Sequence, residues 1–152
     1  MVSRRPNRIL GGAHDAFWAW CAAGELRLQR CAGCGQWAWP AVESCEACGS
    51  AALAWERLSG RGRIASWCSF ARDYYAGQFP IPWDVILVDL DDGPLFLSNP
   101  HGFAWPDVAI GQGASLVFIP CEDDAGRFQL PVFAPAEPGP SGRLGPGHGL
   151  RA

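Results

Sequence analysis

The chain has no lysine, and all twelve of its basic residues are arginine. That is a compositional bias from which no function follows. The shortage of positive charge is more informative. A nucleic-acid binder carries a basic face, and fifteen acidic residues against twelve basic ones leave a net charge of −3. Nowhere do apolar residues run to the roughly 18–20 that a membrane-crossing helix needs. Arg4-Arg5 is not followed by an apolar stretch of signal-peptide length, so no secretory leader and no membrane partner are expected. Histidine is scarce, with three in the chain. His14 falls near a helix start, where a solvated or capping role is the ordinary reading. His101 reads as a polar loop residue, and His148 lies in the C-terminal tail. No Gly-x-Ser-x-Gly nucleophile elbow occurs. Gly60-Arg61-Gly62 lacks the third glycine and the following helix of a phosphate loop, so it reads as a turn or bulge. The chain therefore offers no self-sufficient active site.

What is present is a repeated knuckle. Cys31-Ala32-Gly33-Cys34-Gly35 is followed, after ten residues between the inner cysteines, by Cys45-Glu46-Ala47-Cys48-Gly49. Each Cys-x-x-Cys puts two thiolates on one side of a tight turn, and the trailing glycine supplies the positive φ such a turn requires. Two facing turns make a four-sulfur cage suited to one structural Zn²⁺ with Cys31, Cys34, Cys45 and Cys48 as ligands. Iron in a rubredoxin-like site, two disulfides and a metal-free ribbon are the alternatives left by spacing alone. A four-sulfur site has no open position, so the metal should hold structure and do no chemistry. The other three cysteines, Cys21, Cys68 and Cys121, are widely spaced and read as reduced thiols, which points to a cytoplasmic location. Cys68 and Cys121 lie in apolar strands, where a buried small thiol is the usual reading and a nucleophile the exceptional one.

The rest of the pattern is mainly β. Residues 1–12 read as a flexible arm. A short helix is expected over residues 13–24, with Phe17, Trp20 and Cys21 on one face and Gly24 as its C-terminal cap. Trp18 points off that face, either onto another part of the chain or toward a partner. Residues 25–58 form the ribbon, from Glu25–Arg30 into the first knuckle to Leu53–Leu58 out of the second. Trp37 and Trp39 are expected to pack over the cage. Residues 59–136 carry five strands: Gly62–Phe70 with Ile64, Cys68 and Phe70 sharing a face, Asp84–Leu90, Leu95–Leu97, Ser115–Ile119, and one beginning at Arg127–Leu130 that is interrupted by Pro131 and so sits on an edge or ends early. Asp91-Asp92-Gly93 is a hairpin turn signal, and a single helical turn is expected near Trp105-Pro106-Asp107. Five short antiparallel strands suit a closed barrel of the OB type. Residues 137–152 are rich in glycine and proline and should be disordered.

Helix, ribbon and barrel in this order carry a resemblance. The chain resembles the acyl-CoA-associated family of OB-fold proteins with an N-terminal rubredoxin-like zinc ribbon. The residues that carry it are Phe17-Trp18, Gly24-Glu25-Leu26, Leu28-Gln29-Arg30-Cys31, the remaining knuckle cysteines, Pro40, Ser59-Gly60-Arg61-Gly62, Val85–Leu90 with its Asp91-Asp92-Gly93 turn, Ile110-Gly111-Gln112-Gly113 and Pro131-Val132-Phe133. It extends over residues 13–136. What the resemblance implies is an accessory subunit of a thiolase-fold enzyme (a thiolase, an acyltransferase or a lipid-transfer-type aldolase) acting on acyl-CoA, in a heteromer with paired copies. The ribbon and the helix would be its docking parts. Beside that implication, Tyr74, Tyr75, Phe79 and Trp83 make an aromatic loop that either closes its own barrel or contacts a partner or acyl chain. Arg61, Arg63 and Arg72 flank the same strand and could meet a CoA phosphate. Trp18 completes the candidate binding residues. The rival reading is a single-stranded nucleic-acid binder, since ribbons and OB barrels both do that work.

Overall fold

The computed structural model describes residues 2–78, 80–104 and 108–137. Its elements run β1 (Ser3–Arg4), α1 (Ala13–Ala22), β2 (Arg27–Cys31), β3 (Trp37–Ala38), β4 (Leu53–Arg57), β5 (Arg61–Phe70), β6 (Trp83–Leu90), β7 (Leu95–Ser98), β8 (Gly113–Asp123) and β9 (Gly126–Pro135). The chain is mainly β with one short helix, a zinc ribbon and an OB-type barrel. Phe79, the expected helical turn at residues 105–107 and the tail from residue 138 lie outside the described residues.

Helix α1 buries Phe17 and Cys21 at i and i+4, the spacing that puts side chains on one helical face. Gly24 ends it at φ 76, and its N–H reaches back to the Cys21 carbonyl, which satisfies one of the free carbonyls of the last turn. The other end has Gly12 as N-cap and so no capping side chain. Glu43, from the loop between the knuckles, fills that role by accepting the Ala13 N–H at 3.0 Å. The ribbon thereby fixes the start of the helix.

The ribbon is a three-stranded sheet in the order β3-β2-β4. Gln29 on β2 is buried, and its amide grips both main-chain groups of Val42 at 2.8 and 3.0 Å. The barrel sheet runs β1-β8-β5-β6-β7, with β9 paired to β8. It closes where Phe133 bridges to Pro100, giving its N–H to Asn99 and accepting from the His101 N–H. Gly62 is required by close approach, because a Cβ there would collide with the Asp89 carbonyl on the neighbouring strand. Ribbon, helix and barrel share one core: Phe17, Leu26 and Leu28 pack with Ile64, Val88 and Phe133.

Three expectations are corrected, and one is decided between its alternatives. First, residues 2–10 are held along the barrel. Ser3 and Arg4 pair in parallel with Cys121 and Glu122, and the Arg8 guanidinium bonds the Asp123 carboxylate at 2.7 and 3.2 Å. That pair is buried, with side-chain exposures of 10% and 0%. Second, a bulge between Ile64 and Ser66 shifts the register of β5. An extra residue sends the following side chains to the opposite face, so Ile64 is buried while Cys68 is exposed. Third, of the two readings of Pro131 the edge position holds and the early end does not: β9 continues to Pro135 and pairs along its length with β8. Phe133 directs its N–H and C=O away from β8, and Pro131, two residues earlier, faces the same way, its carbonyl accepting the Ser98 hydroxyl at 2.9 Å. The missing proline N–H therefore removes nothing from the β8 ladder. Fourth, Trp39 does not lie over the cage. Its ring is 4.2 Å from Phe17 and 5.3 Å from Phe96, and Trp37 reaches toward the β6–β7 turn at Gly93. Both indoles pack against the main core, where more apolar surface is available than a four-cysteine cage can offer.

Candidate metal centre and binding surfaces

Each knuckle closes on the same hydrogen bonds. The Gly35 N–H donates to the Cys31 carbonyl at 2.8 Å, and the Gly49 N–H to the Cys45 carbonyl at 2.7 Å. Gly35 and Gly49 have φ of 76° and 73°, the left-handed values read from the spacing. The Cys31 N–H then meets Gln36, and the Cys45 N–H meets Ser50, each at 2.8 Å. Two matched turns thus aim four sulfurs inward. The Cys31–Cys48 and Cys34–Cys45 sulfur pairs are both 3.6 Å apart, and all four sulfurs lie within 4.8 Å of one another. Zinc–sulfur bonds of ~2.3 Å in a tetrahedron require sulfur separations of about 3.8 Å. The donor set therefore fits one structural zinc, held by Cys31, Cys34, Cys45 and Cys48 with no position left for substrate. Cys31 and Cys45 are buried, and Cys34 and Cys48 exposed. The main-chain N–H of Cys34, helped by that of Gly33, brings the Cys31 thiol down to about 6, while burial and hydrogen bonds among the sulfurs hold the thiols of Cys34 and Cys48 up.

The remaining candidate residues fall in three places. Trp18 is half-buried at the arm. Its Nε1–H donates to the Ile9 carbonyl at 3.1 Å, and its ring meets Phe128 edge-on at 5.2 Å. Arg8 lies 5.4 Å from the Trp18 ring and 4.1 Å from that of Phe128. The second place is the end of the β5–β6 hairpin. Phe70 stacks on Trp83 at 5.2 Å, and Tyr75 meets Trp83 edge-on at 5.8 Å. Tyr74 is 64% exposed with Arg72 at 5.7 Å from its ring. Asp73 organises this loop by accepting the N–H groups of Tyr75 and Gly77. The third place is the opposite end of β5, where Arg61 and Arg63 line a recess of about 310 Å³ with Asp91 and Glu137. Seven steps along the strand separate Arg63 from Phe70, roughly 20 Å. The aromatic loop and these two arginines are therefore separate surfaces, and Arg72 is the cation that accompanies the aromatics.

Sequence reasoning passed over Glu43, Gln29, Arg8 and Asp123, which position the parts. Gln29 appeared only within the Leu28-Gln29-Arg30-Cys31 run, with no role of its own. Cys121 is buried, and burial pushes its thiol up against the partly offsetting pull of Arg5. His101 serves through its main chain.

Two family models meet end to end on this chain. The rubredoxin-like zinc ribbon domain of ChsH2 matches residues 18–54, and the C-terminal OB-fold domain of ChsH2 matches residues 55–118. A protein of Thermomonospora curvata described as a probable enoyl-CoA hydratase alpha subunit is 33% identical over 128 residues, covering 82% of this chain and 38% of the relative. The chain thus spans little more than a third of that relative's length. Among solved structures, a chain of the "Ltp2-ChsH2(DUF35) aldolase" superposes with a TM-score of 0.71 at 26% identity, covering 85% of this chain and 98% of that one. A DUF35-family protein of unknown function from Sulfolobus solfataricus shares the fold, with a TM-score of 0.51 at 18% identity over 70% of this chain and 78% of its own.

Proposed function

We infer that this chain, which belongs to the ChsH2 family of zinc-ribbon and OB-fold proteins, is an accessory subunit of an acyl-CoA-processing enzyme. Its partner is a thiolase-fold catalytic subunit, which it stabilises or whose active site it completes, in a heteromer with paired copies. The observation that carries this reading is the likeness, over 85% of this chain, to a chain of a structure whose description couples Ltp2 and ChsH2 in one aldolase. The hydratase-subunit relative supports acyl-CoA as the substrate class. The closed cage supports a non-catalytic part, since its metal has no free position. The exposed aromatic loop and the half-buried Trp18 are the surfaces we assign to partner or acyl-chain contact, and Arg61 and Arg63 are candidates for a CoA phosphate. Seven cysteines without a disulfide suit a cytoplasmic protein. Among the described residues no helix is long and apolar enough to cross a membrane.

The test is an affinity pull-down of the tagged full-length protein from its native cells, with partner identification and metal analysis on the same eluate. A stoichiometric thiolase-fold subunit with about one zinc per chain is expected. Recovery of the zinc protein with nucleic acid, with salt-sensitive binding to oligonucleotides, would overturn the reading in favour of its rival.

A further inference from the structure

A recess of about 440 Å³ opens in the ribbon, away from both the aromatic loop and the arginine-lined recess of the barrel. Its lining comes from the segment between the knuckles, with Trp37, Trp39, Pro40 and Val42, and from the second knuckle, with Cys45 and Glu46. At ~30 Å³ per water it holds about fifteen waters, enough room for one long side chain.

Its lining residues carry charge of one sign. No arginine lines it. Glu46 is exposed and has neither an ion pair nor a side-chain hydrogen bond among the described residues. Cys45 is a ligand of the cage, and a zinc held by four thiolates carries a net charge of −2. Two indoles complete the lining, and the face of an indole attracts cations. The chain already uses that attraction, with Arg30 placed 5.2 Å from the ring of Trp37 and Arg27 4.2 Å from that of Trp20. A recess with indole and aliphatic walls beside an unpaired carboxylate and an anionic metal cage complements a group that is flat, apolar on its faces and positive at its rim. A guanidinium is such a group. Its planar fork also matches a carboxylate, which a compact ammonium cannot do. Arginine in a pocket near the centre of an interface is a common anchor of protein–protein affinity.

We propose that this recess receives an arginine side chain presented by the partner protein, its guanidinium on the indoles of Trp37 and Trp39 and its fork on Glu46. The proposal rests on the accessory-subunit reading and adds to it the chemistry of the contact. It also gives the ribbon a part in docking that a closed metal site by itself does not supply.

The test uses the zinc-loaded full chain, with N-acetyl-arginine amide as probe and the indole N–H signals of Trp37 and Trp39 as readout. Saturable shifts at these two indoles are expected, with affinity of order millimolar. They should weaken about tenfold in Glu46→Gln and be absent with the isosteric neutral probe N-acetyl-citrulline amide. With the catalytic subunit recovered in the pull-down, Glu46→Gln should weaken the complex about tenfold and Glu46→Arg about a hundredfold, and the difference between the variants should shrink at high salt. Equal shifts with both probes, no shift at either indole, or a Glu46→Arg complex as tight as the wild type would each overturn the proposal. If the arginine probe binds as expected but no thiolase-fold subunit is ever recovered, the accessory-subunit reading falls and the guanidinium site stands.

Discussion

Replacing Trp39 with alanine removes the ring that joins the three parts of this protein. The indole belongs to the ribbon, Phe17 to α1 and Phe96 to β7, and the ring centroids are 4.2 and 5.3 Å from that of Trp39. A tryptophan buries ~150–250 Å². At ~25 cal/mol per Å², and with part of this ring open to the ribbon recess, the burial lost is about 3 kcal/mol. The two ring pairs add about 1 kcal/mol together. The expected loss of unfolding free energy is therefore about 4 kcal/mol, within the range for deleting a large core aromatic. Urea titration of the zinc-saturated protein, followed by circular dichroism and by fluorescence, is the assay. Both signals should move together, because ribbon and barrel share one core. Zinc content should remain near one per chain, because the ring contacts of Trp39 are with the helix and barrel. A loss below about 1 kcal/mol would refute the keystone role. Zinc release with an unchanged barrel midpoint would show that the ring serves the cage.

Cys45→Ser removes one of four ligands. Zinc content should fall from about one per chain to near zero, and complex formation with the catalytic subunit should fail. Strand signal from the barrel should persist at a lower melting temperature, since Leu26 and Leu28 of the ribbon belong to the shared core; unchanged metal content and binding would refute this. Arg8→Met should alter the acid limb of stability. The Arg8 guanidinium, aided by main-chain N–H groups and against the effect of burial, holds the Asp123 carboxyl at about 2, below its ordinary 3.8. A depressed carboxyl gives stability that is fully present above the ordinary value and lost as pH falls through about 2. The wild-type arm should therefore undock between those two values. In Arg8→Met the Asp123 titration, followed by carboxyl NMR, should move up, and an unmoved titration would show that the pair does not hold the arm. Thiol labelling of the zinc-loaded protein should modify Cys68 first, because it is exposed. Cys121 and Cys21 should stay protected until unfolding, the latter because burial pushes its thiol up to about 12; fast labelling of Cys21 in the folded protein would contradict its place in the core.

The local features were legible because each depends on a few neighbouring residues. The cage follows from two short turns, each needing a glycine just after its second cysteine. The β6–β7 hairpin follows from apolar residues broken by Asp91-Asp92-Gly93, and the structure pairs Val88 with Phe96 across it. The end of the helix follows from Gly24. The binding surfaces were less legible. Tyr75 and Trp83 were singled out together and do meet, being the two sides of one hairpin end. Arg61, Arg63 and Arg72 appeared to flank one strand, but a strand of ten residues has two ends.

Spacing, alternation and turn chemistry by themselves determined the four-cysteine cage, the ribbon-then-barrel order and most of the strands, since all of these act over a few residues of chain. Tertiary structure alone decided the rest. The bulge in β5 turns Cys68 outward, and no residue near it announces that. Arg8 finds Asp123 across 115 residues, and this converts an arm with no pattern of its own into a strap. Pro131 is harmless because of the direction its neighbours' hydrogen bonds take. The recess beside Glu46 exists because Trp37 and Trp39 are drawn to the barrel core, leaving space between them and the second knuckle. These outcomes depend on which distant surfaces meet, and that is settled by the burial of the shared core.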